Sequence, residues 1–326
     1  MLFALFAWLG FAGSTALLCA FLYPLIRGRL WFLPPAMRAN HLLAWTVAPA
    51  VMGLLLTGSI FLPTVLSLLG IESDHCQVYA ASFSYRCLLH PLASMERELP
   101  WFLLFPLSAL GLIFFGRVGW ELLRVHRLVG ALTTASQLDP SRNIWIVESE
   151  WPLALVSGVL HARVFVSSRL VHSLSPPQLM AVLAHERAHL HRHDPAWYFM
   201  AQILSCFHTS WLRRRLLEDL SLAVEQCCDE EAAKEIGDRL LMADTIVQVE
   251  RLFNKQFPSM LALLPSFVGS HVVVRVESLL ASPQERVPIT YRIIGCTCMG
   301  LMVIGLMLVA EPLHQLTETV LGLLIG

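Results

Sequence analysis

The sequence predicts a mainly helical membrane protein with about four transmembrane helices and one water-facing α+β domain. Of its 326 residues, 56% are hydrophobic and only 14% are charged, whereas a soluble globular chain has a charged share of about 25%. Apolar stretches lie towards both ends, and most charged residues fall between Arg117 and Arg286. The net charge of -1 argues against direct nucleic-acid binding as the main role.

Four apolar segments reach the length of about 20 residues that a helix needs to cross a bilayer. They run from about Met1 to Ile26, His41 to Gly70, Pro100 to Leu123 and Ile289 to Leu313. The first lacks a basic start and is too long for a signal peptide, so we expect a retained membrane helix. These segments define an N-terminal membrane region (1–124), a central domain (125–287), and a fourth helix with a short tail (288–326).

The distribution of arginine predicts which parts of the chain face the cytoplasmic side of the membrane. The loop after the first segment contains three arginines and no acid, whereas the loop at 71–99 contains both signs. Because arginine favours the cytoplasmic side, we expect the central domain in the cytoplasm and the N-terminus outside. Cys76 and Cys87 both lie in the external loop, where a disulfide and two free thiols are equally open.

The central domain contains both strand and helix patterns. Clusters of β-branched and aromatic residues predict strands at Asn143–Val147 and His161–Ser167. Long helices are predicted at Pro176–His191 and Leu216–Ile236. The intervening stretch 197–211 is apolar enough to form a buried or membrane-contacting helix. The domain is therefore expected to be α+β.

The first of these helices carries a metal-binding pattern. Ser175-Pro176-Pro177-Gln178 is a capping box with proline at the first helical position. One turn separates His185 from His189, so both imidazoles share a helix face. Two histidines so placed can bind one metal ion, and the adjacent Glu186 can accept a proton from water. The alternative is a solvated, charged helix.

A third ligand separates these two interpretations, because a catalytic zinc normally takes three protein ligands. Glu225 and Asp229 lie one turn apart on the second predicted helix. We expect Glu225 to complete a site for one Zn²⁺ per chain, and Asp229 to accept a hydrogen bond from a ligating histidine. Cys227 and Cys228 are also potential ligands, but a carboxylate is more usual beside this motif, and Cys228 suits packing.

These motifs resemble a known family. Gly158-Val-Leu-His-Ala-Arg-Val-Phe-Val-Ser-Ser168 and the segment from Leu174 to Pro195 resemble the BlaR/MecR-type membrane metallopeptidases, and more distantly the HtpX and CAAX prenyl protease group. Glu225 to Asp229 matches the Glu-x-x-x-Asp helix of such families. The resemblance implies a zincin-like fold of the gluzincin type and a zinc endopeptidase in the bacterial inner membrane.

The resemblance also implies how a substrate is held. Pro152 to Gly158 and the following strand would border the cleft, so that a peptide adds to a strand edge near Gly158, Val164 and Val166. A cytoplasmic protein substrate, such as a transcriptional repressor, would give a role in regulated signalling. The chain ends at Gly326 without the Ser-x-x-Lys domain of the antibiotic sensors, so β-lactam sensing is not expected.

Several alternatives remain open at this stage. His271 and Arg275 are candidates for stabilising an oxyanion or binding substrate, although both also suit a polar surface. The same chemistry would serve a quality-control protease for membrane proteins. A non-catalytic membrane sensor or scaffold with a structural metal is a third possibility. The pattern does not indicate an oligomeric state.

Overall fold

The structure is a computed structural model that describes residues 2–68, 101–256 and 269–281, with isolated helical positions at 305, 308, 312 and 316. Cys76, Cys87 and the 71–99 loop lie outside the described residues. So does the fourth apolar segment, apart from three isolated positions. The described chain is mostly helical and contains one α+β domain.

Three long helices form the first part of the chain: α1 (Leu2–Leu30), α2 (Pro35–Leu68) and α3 (Trp101–Thr134). Among the described residues, two segments are long and apolar enough to cross a membrane: Ala7–Leu30 in α1 and Pro35–Leu62 in α2. Of the 18-residue apolar stretch in each segment, only 22% and 33% is buried, whereas a core helix of a soluble protein is mostly buried. The third predicted segment forms α3, but the expected count of four membrane helices is not confirmed.

The chain divides into two compact units. The first comprises Met1–Leu22, Ala48–Phe115 and Arg286–Gly326, and the second comprises Tyr23–Val47 and Gly116–Glu285. Within the first unit, α1 and α2 approach closely at Gly53, where a Cβ atom would lie 2.9 Å from Trp8 Cδ1. Trp8 Nε1 also donates a hydrogen bond of 3.1 Å to the Ala50 carbonyl. The second unit contains the sheet and the predicted metal-binding helix.

The second unit contains a four-stranded sheet of order β1-β2-β4-β3. The strands are β1 (Ser136–Asp139), β2 (Ile144–Val147), β3 (Ala154–Ser157) and β4 (Arg163–Ser167). Pairing is parallel between β2 and β4 and antiparallel for the other two pairs. The two strands predicted from sequence are confirmed as β2 and β4. The expectation that Val164 and Val166 lie at an edge was wrong, because β4 pairs on both sides and β3 is the edge strand.

The helices of the second unit follow the sheet: α4 (Ser168–Ser173), α5 (Pro176–Arg192), α6 (Asp194–Leu204), a 3₁₀ turn (Ser205–Phe207), α7 (Ser210–Ile236), α8 (Arg239–Gln256) and α9 (Gly269–Leu280). The predicted helices at 176–191 and 216–236 correspond to α5 and α7. One face of α5 packs Leu179, Val182 and Leu183 against the sheet. Another packs Ala181 and Ala184 against residues of α7, α8 and α9. Contact on both sides fixes the position of α5.

Candidate metal centre

Local sequence signals define both ends of α5. The Gln178 side chain accepts a hydrogen bond of 3.1 Å from the Ser175 amide, which is half of the predicted capping box. The helix ends at Arg192, and the C-cap residue His193 adopts a left-handed conformation with φ 57°. Pro195 then occupies the first turn of α6, where its missing amide proton costs no hydrogen bond. This sharp junction brings Asp194 back towards the preceding turn of α5.

The two histidines of α5 face each other as the spacing predicts. His185 Nε2 and His189 Nε2 lie 3.2 Å apart, and the rings are nearly perpendicular at 82°. His185 is buried with 8% exposure, and His189 is partly buried. Both Nε2 atoms therefore point to one location that a single ion can occupy.

Glu225 on α7 faces the same location. Its Oε2 lies 3.5 Å from His185 Nε2, and its Oε1 lies 3.6 Å from His189 Nε2. The three potential ligand atoms all lie within 4.8 Å of one another. The tertiary packing of α5 on α7 thus brings together the three residues that the sequence proposed as ligands.

Asp229, one turn further along α7, lies behind His185. Its Oδ1 is 2.9 Å from His185 Nδ1, a charge contact that lacks good hydrogen-bond alignment. Arg275 on α9 donates two hydrogen bonds of 2.7 Å to the same carboxylate. It also reaches Glu225, with 3.0 Å between Nη1 and Oε2. Arg275 therefore holds both carboxylates in place.

Sequence reasoning missed the residue that orients His189. Asp194 Oδ2 lies 2.9 Å from His189 Nδ1, so the ring nitrogen opposite the predicted metal position is held by a carboxylate. Such a partner fixes the tautomer of a ligating histidine. The available signal was an aspartate followed by proline immediately after the helix end, where the chain turns back.

Burial and charge perturb this cluster in a consistent way. Burial by itself lowers the pKa of His185, but Asp229 and Glu225 outweigh it and raise that pKa to about 10. Burial raises the pKa of Glu225, but Arg275 and His185 lower it more, so that the carboxylate stays ionised. Asp229 is likewise held ionised by Arg275 against the effect of burial. The carboxylates thus favour a cation at His185, which a proton or a metal ion can supply.

Glu186 differs from the other acids of the site. It is buried with 7% exposure, and burial is the largest effect on its pKa, which is raised. A carboxylate whose pKa lies closer to neutrality exchanges a proton more readily in both directions. The environment of Glu186 therefore suits proton transfer, whereas that of Glu225 suits permanent negative charge.

A second group of potential ligands lies on the other side of His189. Cys228 Sγ is 3.3 Å from both His189 Nδ1 and Asp194 Oδ2. Burial is the main reason that the pKa of this thiol is raised, and Asp194 adds to the effect. Without a metal ion, the thiol of Cys228 is therefore held in its protonated form. Both groups share His189, and in the group of His185, His189 and Glu225 the Nε2 atoms of two histidines face one location.

The donor set fits zinc, since imidazole nitrogen and carboxylate oxygen are usual zinc ligands. The remaining predicted residues lie in different positions. The side chain of His271, one turn before Arg275 on α9, has no hydrogen bond or ion pair with any described residue. Gly158 adopts φ 121° between β3 and β4. Arg275 reaches the site, but its contacts are with Asp229 and Glu225, which favours a role in holding ligands over one in binding an oxyanion.

Residues 120–262 match Peptidase family M48. The match covers the sheet, α5, α6 and α7, and it supports a metallopeptidase of the zincin type. Searches of curated proteins and of solved structures gave no match. The family match and the group of His185, His189 and Glu225 both support a metallopeptidase-type domain in this part of the chain.

Proposed function

We propose that this protein is a membrane-anchored zinc endopeptidase that cleaves a protein substrate at the cytoplasmic side of the bacterial inner membrane. One observation carries the proposal: His185, His189 and Glu225 converge within 4.8 Å beside the buried Glu186. The match to Peptidase family M48 supports the reaction class. The two apolar helices α1 and α2 support the membrane location.

The ligands would be His185, His189 and Glu225, with Asp229 and Asp194 orienting the two imidazoles. Zinc, when bound at such a site, polarises the scissile carbonyl and lowers the pKa of water. Glu186 accepts a proton from the attacking water and delivers it to the leaving amine. Burial raises the pKa of Glu186, which favours this return of the proton.

The substrate peptide would pair with β3. Within the described residues, β3 has β4 on one side only, so its other edge is available for backbone hydrogen bonds. Adding a strand in this way holds the scissile peptide extended, whatever its side chains are. Gly158 follows this strand directly and adopts a backbone conformation that other residues rarely adopt.

Cleavage of a transcriptional repressor in a signalling pathway is the substrate role we favour, from the resemblance to the BlaR/MecR-type enzymes. Quality control of membrane proteins uses the same chemistry and is the main alternative. A non-catalytic metal-binding sensor is disfavoured by Glu186, since a structural metal does not require a buried acid beside its ligands.

The test is Glu186→Gln, which keeps the shape of the side chain but removes the proton acceptor. We expect the purified variant to retain one zinc per chain and to lose proteolysis. Glu225→Gln is the matched variant on α7, and it should reduce the zinc content. If Glu186→Gln retained full cleavage activity, or if the parent bound no stoichiometric zinc, the proposed enzyme function would be wrong.

A further inference from the structure

The loop that joins α6 to α7 contacts α2 at the beginning of its apolar stretch. His208 Nε2 lies 3.1 Å from the carbonyl oxygens of Trp45 and Thr46. In α2, no charged residue or histidine occurs between Leu42 and Leu68. Trp45 and Thr46 therefore lie within about one turn of the point where a membrane-spanning helix enters the apolar layer. The loop at His208 lies at the same level.

The contacts of two residues of α7, Asp219 and Gln226, give the direction of this helix. Asp219 accepts hydrogen bonds of 2.6 Å from Tyr23 and of 2.6 and 2.8 Å from Arg27, near the end of α1. Gln226, two turns later, accepts a hydrogen bond from Arg38 near the beginning of α2. The helix α7 thus begins beside the apolar part of α2 and proceeds towards the turn between α1 and α2.

The surface around the beginning of α7 has the composition of a membrane interface. Trp211, in the first turn of α7, is 54% exposed. Arg214 and Arg215 are also exposed, and neither has an ion pair with any described residue. By contrast, Arg213 donates hydrogen bonds to the Ser205 hydroxyl and to the Gln202 carbonyl. These bonds connect the beginning of α7 to the end of α6. We call this surface the interfacial patch; it comprises Cys206, Trp211, Arg214 and Arg215.

We propose that the interfacial patch binds the anionic phospholipids of the leaflet that faces the turn between α1 and α2. Tryptophan is enriched at the level of the headgroups, because its ring is apolar and its N–H is polar. Arginine beside it adds electrostatic attraction to anionic lipid near the membrane surface. Contact of His208 with α2 brings the patch to the level where both effects operate. The patch therefore tethers the beginning of the helix that carries Glu225.

This inference depends on the proposed membrane location but not on proteolysis. The test uses the full chain in nanodiscs of phosphatidylglycerol and phosphatidylcholine, with an environment-sensitive fluorophore on Cys206, which is exposed. Cys206→Ser is labelled in the same way as the parent. The fluorescence that comes from Cys206 is obtained by subtracting the fluorescence of this variant from that of the parent. Lipids with a spin label near the headgroup end of the acyl chain act as quenchers.

The matched control is Leu240→Cys in the Cys206→Ser background. Leu240 is 69% exposed and follows the end of α7, a helix of 27 residues, so it lies about 40 Å from the beginning of that helix. We expect the spin-labelled lipid to quench the probe at position 206 and not the probe at 240. The combined changes Arg214→Gln and Arg215→Gln should reduce quenching at 206, and pure phosphatidylcholine should have the same effect.

Three results would overturn the proposal. If the protein stays in the nanodisc but the probe at 206 is not quenched, the patch does not contact lipid. The proposed membrane location of α1 and α2 would be unaffected by that result. If Cys206 instead crosslinks two copies of the chain, the patch is a protein interface. If the protein does not stay in the nanodisc, the membrane location itself is wrong. Zinc content and cleavage, measured in parallel, report separately on the enzyme function.

Discussion

Replacement of Arg275 by methionine tests how the metal centre is held together. Met has a similar length but no charge, so Asp229, with a side chain 1% exposed, would lose both of its 2.7 Å hydrogen bonds. Glu225 would lose the 3.0 Å contact with the guanidinium. Removing one partner of a buried ion pair costs about 3–5 kcal/mol, because the remaining charge stays buried and uncompensated.

A loss of about 3 kcal/mol lowers the Tm of a domain of this size by roughly 6–12 °C. The assay is thermal unfolding of the purified metal-free protein, followed by intrinsic tryptophan fluorescence. The matched control is Arg124→Met, since Arg124 has a side chain 74% exposed and only a 3.9 Å pair with Glu121. Surface pairs of this kind contribute about 0–1 kcal/mol, so the control should unfold near the parent.

The pH dependence has a definite sign. Arg275 keeps the pKa of Asp229 below its usual value although burial acts in the opposite direction. This contribution to stability is therefore present above the unfolded pKa of about 4 and is lost as the pH falls through the lower folded pKa. In Arg275→Met the buried carboxyl favours its protonated form. The stability gap between variant and parent should consequently be largest at neutral pH and should narrow towards pH 4.

The reasoning would be refuted if Arg275→Met unfolded at the temperature of Arg124→Met across this pH range. Asp229→Asn in the Arg275→Met background provides a second check. It removes the uncompensated carboxylate, so the double variant should be more stable than Arg275→Met alone. A double variant that is simply the sum of two losses would indicate that the two residues act independently.

Three other changes probe separate parts of the second unit. Asp194→Asn should weaken zinc affinity about 10–100-fold by removing the carboxylate that orients His189, and competition with a chelator measures this. Gly158→Ala should destabilise the β3–β4 turn by about 1–3 kcal/mol, because its Cβ would lie 2.7 Å from the His161 carbonyl at φ 121°; denaturant unfolding reports the loss, and equal stability would contradict the strain. Burial lowers the pKa of His208, so the folded protein binds a proton at His208 less readily than the unfolded chain does. The free energy of unfolding should therefore fall as the pH drops below about 6.5. His208→Asn should reduce that acid sensitivity, as measured by Tm between pH 7.5 and pH 5.

Local patterns were sufficient for the main elements of the second unit. The helix at 176–191 was predictable because capping and the i, i+4 spacing act between residues close in the chain. The strands at 143–147 and 161–167 were recognisable from β-branched and aromatic content. The sequence did not predict where the edge strand β3 ends and the following turn begins. The four residues of β3 are all partly buried, so they lack the alternation of buried and exposed positions that marks a strand.

The sequence by itself determined that His185 and His189 share a helix face, because one helical turn fixes that relation wherever the helix lies. Only the tertiary structure decided what surrounds them. Arg275 reaches Asp229 across 46 residues of chain, and His208 reaches Trp45 across 163. Such contacts depend on how whole helices pack, and no local spacing encodes them. For the same reason, the order of the strands, which places β3 at the edge of the sheet within the described residues, followed from the packing.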